Sequence, residues 1–292
     1  MTHRRYLPVF LFFPLLFAML SCEKFTGDQT IPSYISIKSI SINSDYSTQG
    51  TNSSLITDAW VYVDDEFLGA YELPARIPVL KTGSHQVTVF PGIKKNGIAS
   101  TRTNYTFYNP IKKTLNLIQD SVVSMGSQVS TYILATAFPF REDFEGLSIG
   151  LDTTQRSTTN ITLTAPGSPE TFEREHSGKV VLDDTAHSFF ECQTHDEYMI
   201  PASAPVYLEM NFNTTNTITI GIITYSYSAL YQVPVLTLNP TNGNWKKIYI
   251  DLSTSLWAYQ GVTTFRVYMG TFIDTGLKQS TILFDNFKVL YR

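Results

Sequence analysis

The stretch "DDTAHSFFECQTHDEY", residues 183 to 198, holds the densest group of side chains that could do chemistry. His187, Glu191, Cys192 and His195 supply a thiol, two imidazoles and a carboxylate. A thiolate, imidazoles and a carboxylate can ligate zinc. An imidazole beside a thiol can also activate it as a nucleophile. Metal binding and nucleophilic catalysis are therefore the two chemistries to weigh here.

The spacing of these residues argues against both chemistries. In a strand, alternate residues share a face, so His187, Glu191 and His195 align while Cys192 points the other way. Cys192 also lies between Phe190 and Tyr198, in a stretch typical of a buried strand. We therefore expect Cys192 to be an inert buried thiol, with the zinc and nucleophile roles as the less favoured alternatives.

A second group of residues could stack on sugars, because sugar C–H faces pack on aromatic rings beside polar groups. Its members are Tyr225, Tyr227 and Tyr231 in "TYSYSALYQ", and Trp257 and Tyr259 in "LWAYQG". The alternative is ordinary core or rim packing, which aromatic residues favour in any sandwich. A further tryptophan, Trp245, is expected in the core.

The sequence lacks the motifs of most enzyme classes and of nucleic-acid-binding proteins. No Ser/His/Asp arrangement, phosphate-binding loop or cofactor fingerprint is present, so we expect no enzyme. The net charge is −4 and the sequence has no basic tract, so it has no positively charged surface that would bind nucleic acid.

The acids Asp64, Asp65 and Glu66 are consecutive, so they point in different directions at a hairpin tip. A solvated turn explains them better than a calcium site.

The first 21 residues have the features of a secretory signal. Arg4 and Arg5 precede the apolar run "YLPVFLFFPLLFAML", which is the order of charged and apolar regions in signal peptides. The run is about 15 residues long, short of the ~20 that span a bilayer as a helix. An uncleaved anchor or a buried core helix is the alternative.

The signal ends in "MLSC", which resembles a bacterial lipobox. Ser21 matches the small position and Cys22 the lipid acceptor, whereas Met19 departs from the usual leucine. The resemblance implies a lipoprotein of the outer membrane, in which several acyl chains of the palmitate type give stable anchoring. Residues 22–30 would form the tether. The folded part of the protein could face either the periplasm or the outside of the outer membrane.

The remaining roughly 270 residues suggest two domains, and their aromatic, Thr-rich and Ser-rich composition favours strands. Residues 31–125 alternate with period 2, as in "YISIKSISI", where the alternation slips at Ser39. The segment "VYVDDEFLGAYELP", followed by "LKTGSH" and "QVTVF", resembles a PEGA-type module. This resemblance implies an Ig-like β-sandwich that acts as a spacer or docking surface.

Residues 126–139 are expected to link this module to a second domain at 140–292. The second domain carries "FREDFEG", "EREHSGKVVLDD", "GNWKKIYIDLS" and "STILFDNFKVLYR". Together these motifs resemble jelly-roll domains of the carbohydrate-binding-module or galactose-binding-like class. The expected fold class is therefore all-β: an Ig-like sandwich followed by a jelly-roll sandwich of about eight strands.

The jelly-roll resemblance also implies a structural calcium between the first and last strands. Glu142, Asp143 and Glu145 would then face Asp285 across that seam. Calcium takes six to eight oxygen ligands, so backbone carbonyls and water would complete the site. The alternative is that Asp285 only hydrogen-bonds backbone where its strand begins.

These observations predict a non-enzymatic lipoprotein of the cell envelope that binds glycan, or mediates adhesion, through its C-terminal jelly roll. The alternative is a structural or accessory subunit of an outer-membrane protein complex, with both domains as docking surfaces. A hydrolase with a catalytic jelly-roll face is the weakest hypothesis. It requires two carboxylates that converge in one cleft, and a sequence does not show such convergence. The glycan reading depends on fold analogy, and a fold does not specify a function.

Overall fold

The computed structural model describes residues 31–201, 204–226, 229–259 and 261–292. Strands dominate, which confirms the expected all-β class. Within the described residues, no helix has the length and apolarity needed to cross a membrane. The signal, Cys22 and the tether lie outside the described residues.

The N-terminal sandwich consists of two sheets, N1 and N2. Sheet N1 has the order β4-β1-β8 and sheet N2 the order β3-β2-β5-β6, with β7 also pairing with β5. The elements are β1 (Ser33–Asn43), α1 (Tyr46–Gln49), β2 (Asp58–Val63), β3 (Glu66–Glu72), β4 (Ala75–Val79), β5 (Gly83–Lys94), β6 (Arg102–Asn104), β7 (Ile111–Leu117) and β8 (Val122–Thr131).

The slip seen in the sequence of β1 is an irregularity in its pairing with β8. The two strands run parallel, and their register shifts between Ser36 and Ile37 and again between Ile37 and Ser39. A bulge of this kind lets a strand keep its apolar side chains on one face. Ile37 and Ile40 are both buried as a result.

The hairpin tip between β2 and β3 is a two-residue turn. Asp64 and Asp65 have φ angles of 51° and 65°, as a type I′ hairpin turn requires at its two central positions. Asp64 accepts hydrogen bonds from Gln86 N and Lys81 Nζ and lies 2.6 Å from His85 Nδ1. Lys81 Nζ also lies 3.1 Å from Glu66 Oε2, so Asp64 and Glu66 both have partners within the protein.

The C-terminal sandwich has sheet C1, with the order β11-β12-β20-β15-β18 and β9 also on β20. Sheet C2 has the order β10-β13-β19-β16-β17, with β14 also on β19. The elements are β9 (Ala137–Glu142), β10 (Leu151–Thr153), β11 (Thr162–Leu163), β12 (Gly178–Asp183), β13 (Phe189–Thr194), β14 (Tyr198–Met199), β15 (Val206–Thr214), β16 (Ile218–Ser226), β17 (Ala229–Leu238), β18 (Lys246–Asp251), α2 (Ser253–Trp257), β19 (Val262–Phe272) and β20 (Gln279–Tyr291).

Four strands of sheet C1 correspond to the four motifs of the sequence. The motifs contribute β9, β12, β18 and β20, and β20 pairs with β9, β12 and β15. The chain passes repeatedly between C1 and C2 along its length, which is how a jelly-roll sandwich is built. The expected linker at 126–139 overlaps strands at both ends, because β8 continues pairing with β1 to Thr131 and β9 begins at Ala137.

A buried polar junction joins the two sandwiches. Glu209 of β15 is fully buried, and its two carboxylate oxygens accept hydrogen bonds from Tyr105 and Tyr132 of the N-terminal sandwich, each at 2.9 Å. Lys247 Nζ lies 3.2 Å from Glu209 Oε2. Lys288 donates to the Thr51 carbonyl at 2.6 Å. Buried charges need such partners. The junction also has its own buried aromatic cluster, distinct from the apolar core of each sandwich.

Candidate functional site

The face of sheet C2 that points away from the core carries a mixture of aromatic and polar side chains. The core side of C2 is identified by Cys192, Ile220 and Met269, which are buried in the apolar cluster of the sandwich. Side chains alternate along a strand, so their neighbours form the opposite surface. We call this surface the outer face of C2; it comprises Phe189, Glu191, Gln193, Ile223, Tyr225, Gln232, Arg266, Tyr268 and Phe272, with Arg156 above it.

Glu191 is the centre of a polar network on this face. Its Oε1 accepts a hydrogen bond from Thr154 Oγ1 at 3.0 Å, and its Oε2 accepts one from Gln232 Nε2 at 2.8 Å. Arg156 Nη1 lies 3.6 Å from Oε2. Glu191 is 95% buried by these partners, whereas the Arg156 side chain is 65% exposed. The carboxylate is held in place beneath polar groups that face solvent.

Two glycines make room for this arrangement. A Cβ on Gly221 would lie 2.4 Å from a ring carbon of Tyr268, so the Tyr268 ring packs directly on the strand backbone. A Cβ on Gly270 would meet the Glu191 side chain at 3.3 Å. Glycine inside a strand often marks such a close approach. Burial raises the pKa of the Tyr268 phenol.

An aromatic pair lies at one end of the network. The rings of Phe189 and Phe272 are 4.4 Å apart between centroids. Phe189 is buried, and the Arg156 guanidinium lies 5.4 Å from its ring centre. Phe272 remains 65% exposed. The pair thus offers an exposed stacking ring beside a buried ring that packs under a guanidinium group.

The structure separates the aromatic residues that the sequence grouped together. Tyr225 pairs with Leu230, and Thr224 pairs with Tyr231. Since Thr224 faces the interior, Tyr231 lies on the core side of C2 and Tyr225 on the outer face. The two tyrosines have nearly the same exposure, 37% and 38%.

Of the other aromatic residues predicted to stack on sugars, one packs against Tyr231 and the others do not. Tyr259 packs against Tyr231 with ring centroids 4.9 Å apart. Trp257, at the end of α2, is 48% exposed. Tyr227 lies outside the described residues. Trp245, expected in the core, is only partly buried and packs against Phe172.

The Cys/His group does not converge. Cys192 is fully buried on the core side of C2, and burial raises the pKa of its thiol. His195 Nδ1 lies 3.0 Å from Asp152 Oδ2, and the hydrogen bond to Asp152 raises the pKa of His195. His187 lies 2.7 Å from Asp183. The imidazoles therefore pair with aspartates, and Glu191 pairs with the residues of the outer face.

The four acids proposed for calcium each have protein partners. Glu142 accepts from the backbone amides of Phe144 and Gly150, and Asp143 accepts from Tyr46 Oη at 2.9 Å. The two further acids use different donors. Glu145 accepts from the amides of Glu175 and His176, and Asp285 accepts from Ser177 Oγ and the amide of Asn286.

Asp285 is the most desolvated of these acids. It is 99% buried, and burial raises its pKa to about 8. Burial also raises the pKa of Glu142. Across the described part of the chain, no group of three or more His, Cys, Asp or Glu side chains is arranged to hold a metal ion. Asp285 lies in the middle of β20, not where that strand begins, and one of its donors is the Ser177 side chain. The calcium site stays a prediction.

Comparisons with known proteins find structures but no sequence relatives. No protein-family model matches the sequence, and no curated protein matches it. A xylan-binding family 22 module from Paenibacillus barcinonensis is 18% identical, with 51% of this chain and 97% of that module covered at a TM-score of 0.36. A second similar structure comes from work on the promiscuous specificity of carbohydrate-binding modules of the β-sandwich superfamily. It is 14% identical, with 80% of this chain and 84% of that chain covered, at a TM-score of 0.37.

A carbohydrate-binding module of family 29 is a third similar structure. It is 11% identical, with 53% of this chain and 88% of that module covered, at a TM-score of 0.34. The structural neighbours are thus carbohydrate-binding β-sandwich modules. What each of them binds is a property of that module.

Proposed function

We propose that this protein is a non-enzymatic lipoprotein of the cell envelope that binds glycan on the outer face of C2. Cys22 would carry the lipid anchor, and the N-terminal sandwich would hold the binding domain at a fixed orientation to the tether. The single observation that supports glycan binding is the composition of the outer face: stacking rings beside a preformed network of carboxylate, amide and guanidinium groups.

The chemistry of that face suits sugars better than an apolar ligand. A sugar presents C–H faces to aromatic rings and hydroxyl groups to polar side chains, and a binding site needs both. Phe272 and Tyr225 are exposed rings on the outer face. Gln232 and Arg156 offer N–H donors from side chains whose positions are set by Glu191. Preorganised donors of this kind reduce the ordering cost of binding.

The accessory-subunit alternative predicts a different surface. A stable protein partner requires a contact of about 1,000 Å² or more with a well-packed apolar centre. The outer face of C2 has charged and amide groups at its centre, around Glu191. This composition favours the glycan proposal over a protein-docking role for this face.

A glycan-array screen tests the proposal directly. The soluble chain, residues 23 to 292, contains every described strand and would be screened with and without calcium. We expect binding that is lost or weakened about tenfold in Phe272→Ala and in Gln232→Ala. Trp257→Ala serves as the control, because Trp257 is exposed but lies off the outer face.

The outcomes separate the two functions. Binding that survives both outer-face substitutions would move the glycan site elsewhere. No binding by folded protein in either condition would rank the accessory-subunit role above glycan binding, and cross-linking in the native envelope would then identify the partner.

A further inference from the structure

A cavity of about 500 Å³ lies where the two sandwiches meet, beside the edge strand β18. We call it the junction cavity. The N-terminal sandwich contributes Leu55 and the turn at 94–97, and the C-terminal sandwich contributes Phe212 and the segments 236–239 and 245–249. The turn is fixed to β18 because Asn96 N donates to the Tyr249 carbonyl at 2.8 Å. The volume is within the usual range for small-ligand sites, about 300 to 1,000 Å³.

The walls of the junction cavity are largely apolar. Phe212 and Ile248 form buried parts of the wall, and Leu236 is partly buried. Leu55 lines the cavity and is 46% exposed. An apolar side chain of this size left open to solvent inside a concavity suggests a ligand with an apolar body.

The charged groups that line the cavity are all positive. Lys94, Lys246 and Lys247 line it together with the polar residues Asn96, Thr237 and Asn239, and no Asp or Glu among the described residues does. Ammonium groups are positively charged donors, so the cavity complements an acceptor that carries negative charge.

Two of the three lysines remain accessible in the cavity. Lys247 is 92% buried, and its Nζ is enclosed 3.2 Å from Glu209 Oε2. Lys246 is exposed and Lys94 is partly exposed. These two ammonium groups can therefore bind an acceptor that enters the cavity.

We propose that the junction cavity is a binding site for a small anionic amphiphile, whose apolar body packs on Leu55, Leu236 and Ile248 and whose anionic head is bound by Lys94 and Lys246. The site shares no residue with the outer face of C2. Its ligand is therefore independent of glycan binding, and either proposal can fail while the other holds.

Calorimetric titration of the soluble chain with decanoate tests this site, at concentrations below micelle formation. We expect saturable binding of one decanoate per chain. The same titration with decyltrimethylammonium, which has the same alkyl length and the opposite charge, should give binding roughly tenfold weaker or none. Saturable binding with no preference for the anion would overturn the proposal.

Two variants locate the binding site. Leu55→Asp places a negative charge in the cavity and should weaken decanoate binding by roughly tenfold. Ile98→Asp is the matched control, because Ile98 has the same exposed fraction, 46%, and does not line the cavity. Lys246→Glu, at an exposed lysine of the mouth, provides a second variant if Leu55→Asp folds poorly. Decanoate binding unchanged in both cavity variants, or absent in folded wild-type protein, contradicts the site.

Discussion

Tyr105 of the N-terminal sandwich donates its phenol hydrogen to Glu209 Oε1 of the C-terminal sandwich, at 2.9 Å and in the absence of solvent. Tyr132 bonds the second oxygen of the same carboxylate. The junction is therefore a stabilising interior and not a loose contact between two domains. Burial raises the pKa values of both phenols well above their usual range, so both remain donors.

Removing this carboxylate should destabilise the whole protein. Glu209→Ala leaves Lys247 without its counter-charge and two phenols without their acceptor, and loss of one partner of a buried ion pair costs about 3–5 kcal/mol. Urea unfolding followed by tryptophan fluorescence measures the loss. Glu197→Ala, which removes a surface partner of Arg266, should cost no more than about 1 kcal/mol. Equal effects of the two substitutions would contradict the role of the junction.

Asp285 should make stability fall as pH rises. Its pKa is about 8 in the folded protein against an ordinary value of 3.8. Between about pH 4 and pH 8 the unfolded chain therefore releases a proton that the folded chain keeps. The unfolded state then binds fewer protons, so the free energy of unfolding decreases with pH, by up to about 1.4 kcal/mol per pH unit for one group.

Asp285→Asn should remove this part of the pH dependence. The measurement is the free energy of unfolding across that pH range, in the presence of EDTA so that no cation neutralises the carboxylate. Asp196→Asn, at an exposed position, should keep the wild-type slope. If Asp285→Asn also keeps the wild-type slope, the carboxyl of Asp285 does not stay protonated in the folded protein across this pH range.

Calcium at Glu142, Asp143, Glu145 and Asp285 has a separate test. An ion that binds only the folded state stabilises it, so wild-type protein should melt about 3 °C higher at a tenfold excess of calcium over Kd. Asp285→Asn should lose most of this increase. Identical melting in calcium and in EDTA would leave Asp285 with the hydrogen-bonding role that its contacts with Ser177 and Asn286 indicate.

Tyr225 and Tyr231 form a matched pair for glycan binding. They have similar exposure and lie on opposite sides of C2. Tyr225→Ala should weaken affinity for a glycan identified on the array by about tenfold, through loss of a stacking ring. Tyr231→Ala should leave it within about twofold. Titration of both variants decides which side of the sheet binds, and the reverse order of effects would place the ligand on the rim beside Tyr259.

Cys192 should be unreactive in the folded protein. The thiolate is the reactive form, and burial raises the pKa of this thiol while closing it to solvent. In the soluble chain, which lacks Cys22, a thiol reagent such as DTNB should react only after denaturation. Rapid labelling under native conditions would return the catalytic and metal-binding interpretations to consideration.

Local patterns in the sequence predicted the strands well. The slip at Ser39 became a register shift between β1 and β8, and Asp64-Asp65 became a two-residue turn. The opposite facing of Glu191 and Cys192 also follows from the period of a strand. In each case the information lies within a few residues of the chain.

Long-range partners could not be predicted in the same way. Gln232 reaches Glu191 only because two intervening strands have a particular register and because Gly221 and Gly270 carry no side chains. The glycines inside apparent strands were the available signal. The Tyr231 side chain lies on the opposite side of C2 from Tyr225. Its side is determined by the register of the β16–β17 hairpin and not by the number of residues between the two tyrosines.

The parallel pairing of β1 and β8 determines how the protein would bear force. β1 follows the segment proposed as the tether, and β8 is the last strand before the C-terminal sandwich. Their register runs from Tyr34 opposite Val122 to Asn43 opposite Thr131. If the protein is anchored and binds glycan as proposed, a pull between the tether and the ligand would drag these two strands in opposite directions along their length. The inter-strand hydrogen bonds would then be loaded together in shear, and the N-terminal sandwich would resist extension without breaking its bonds one at a time.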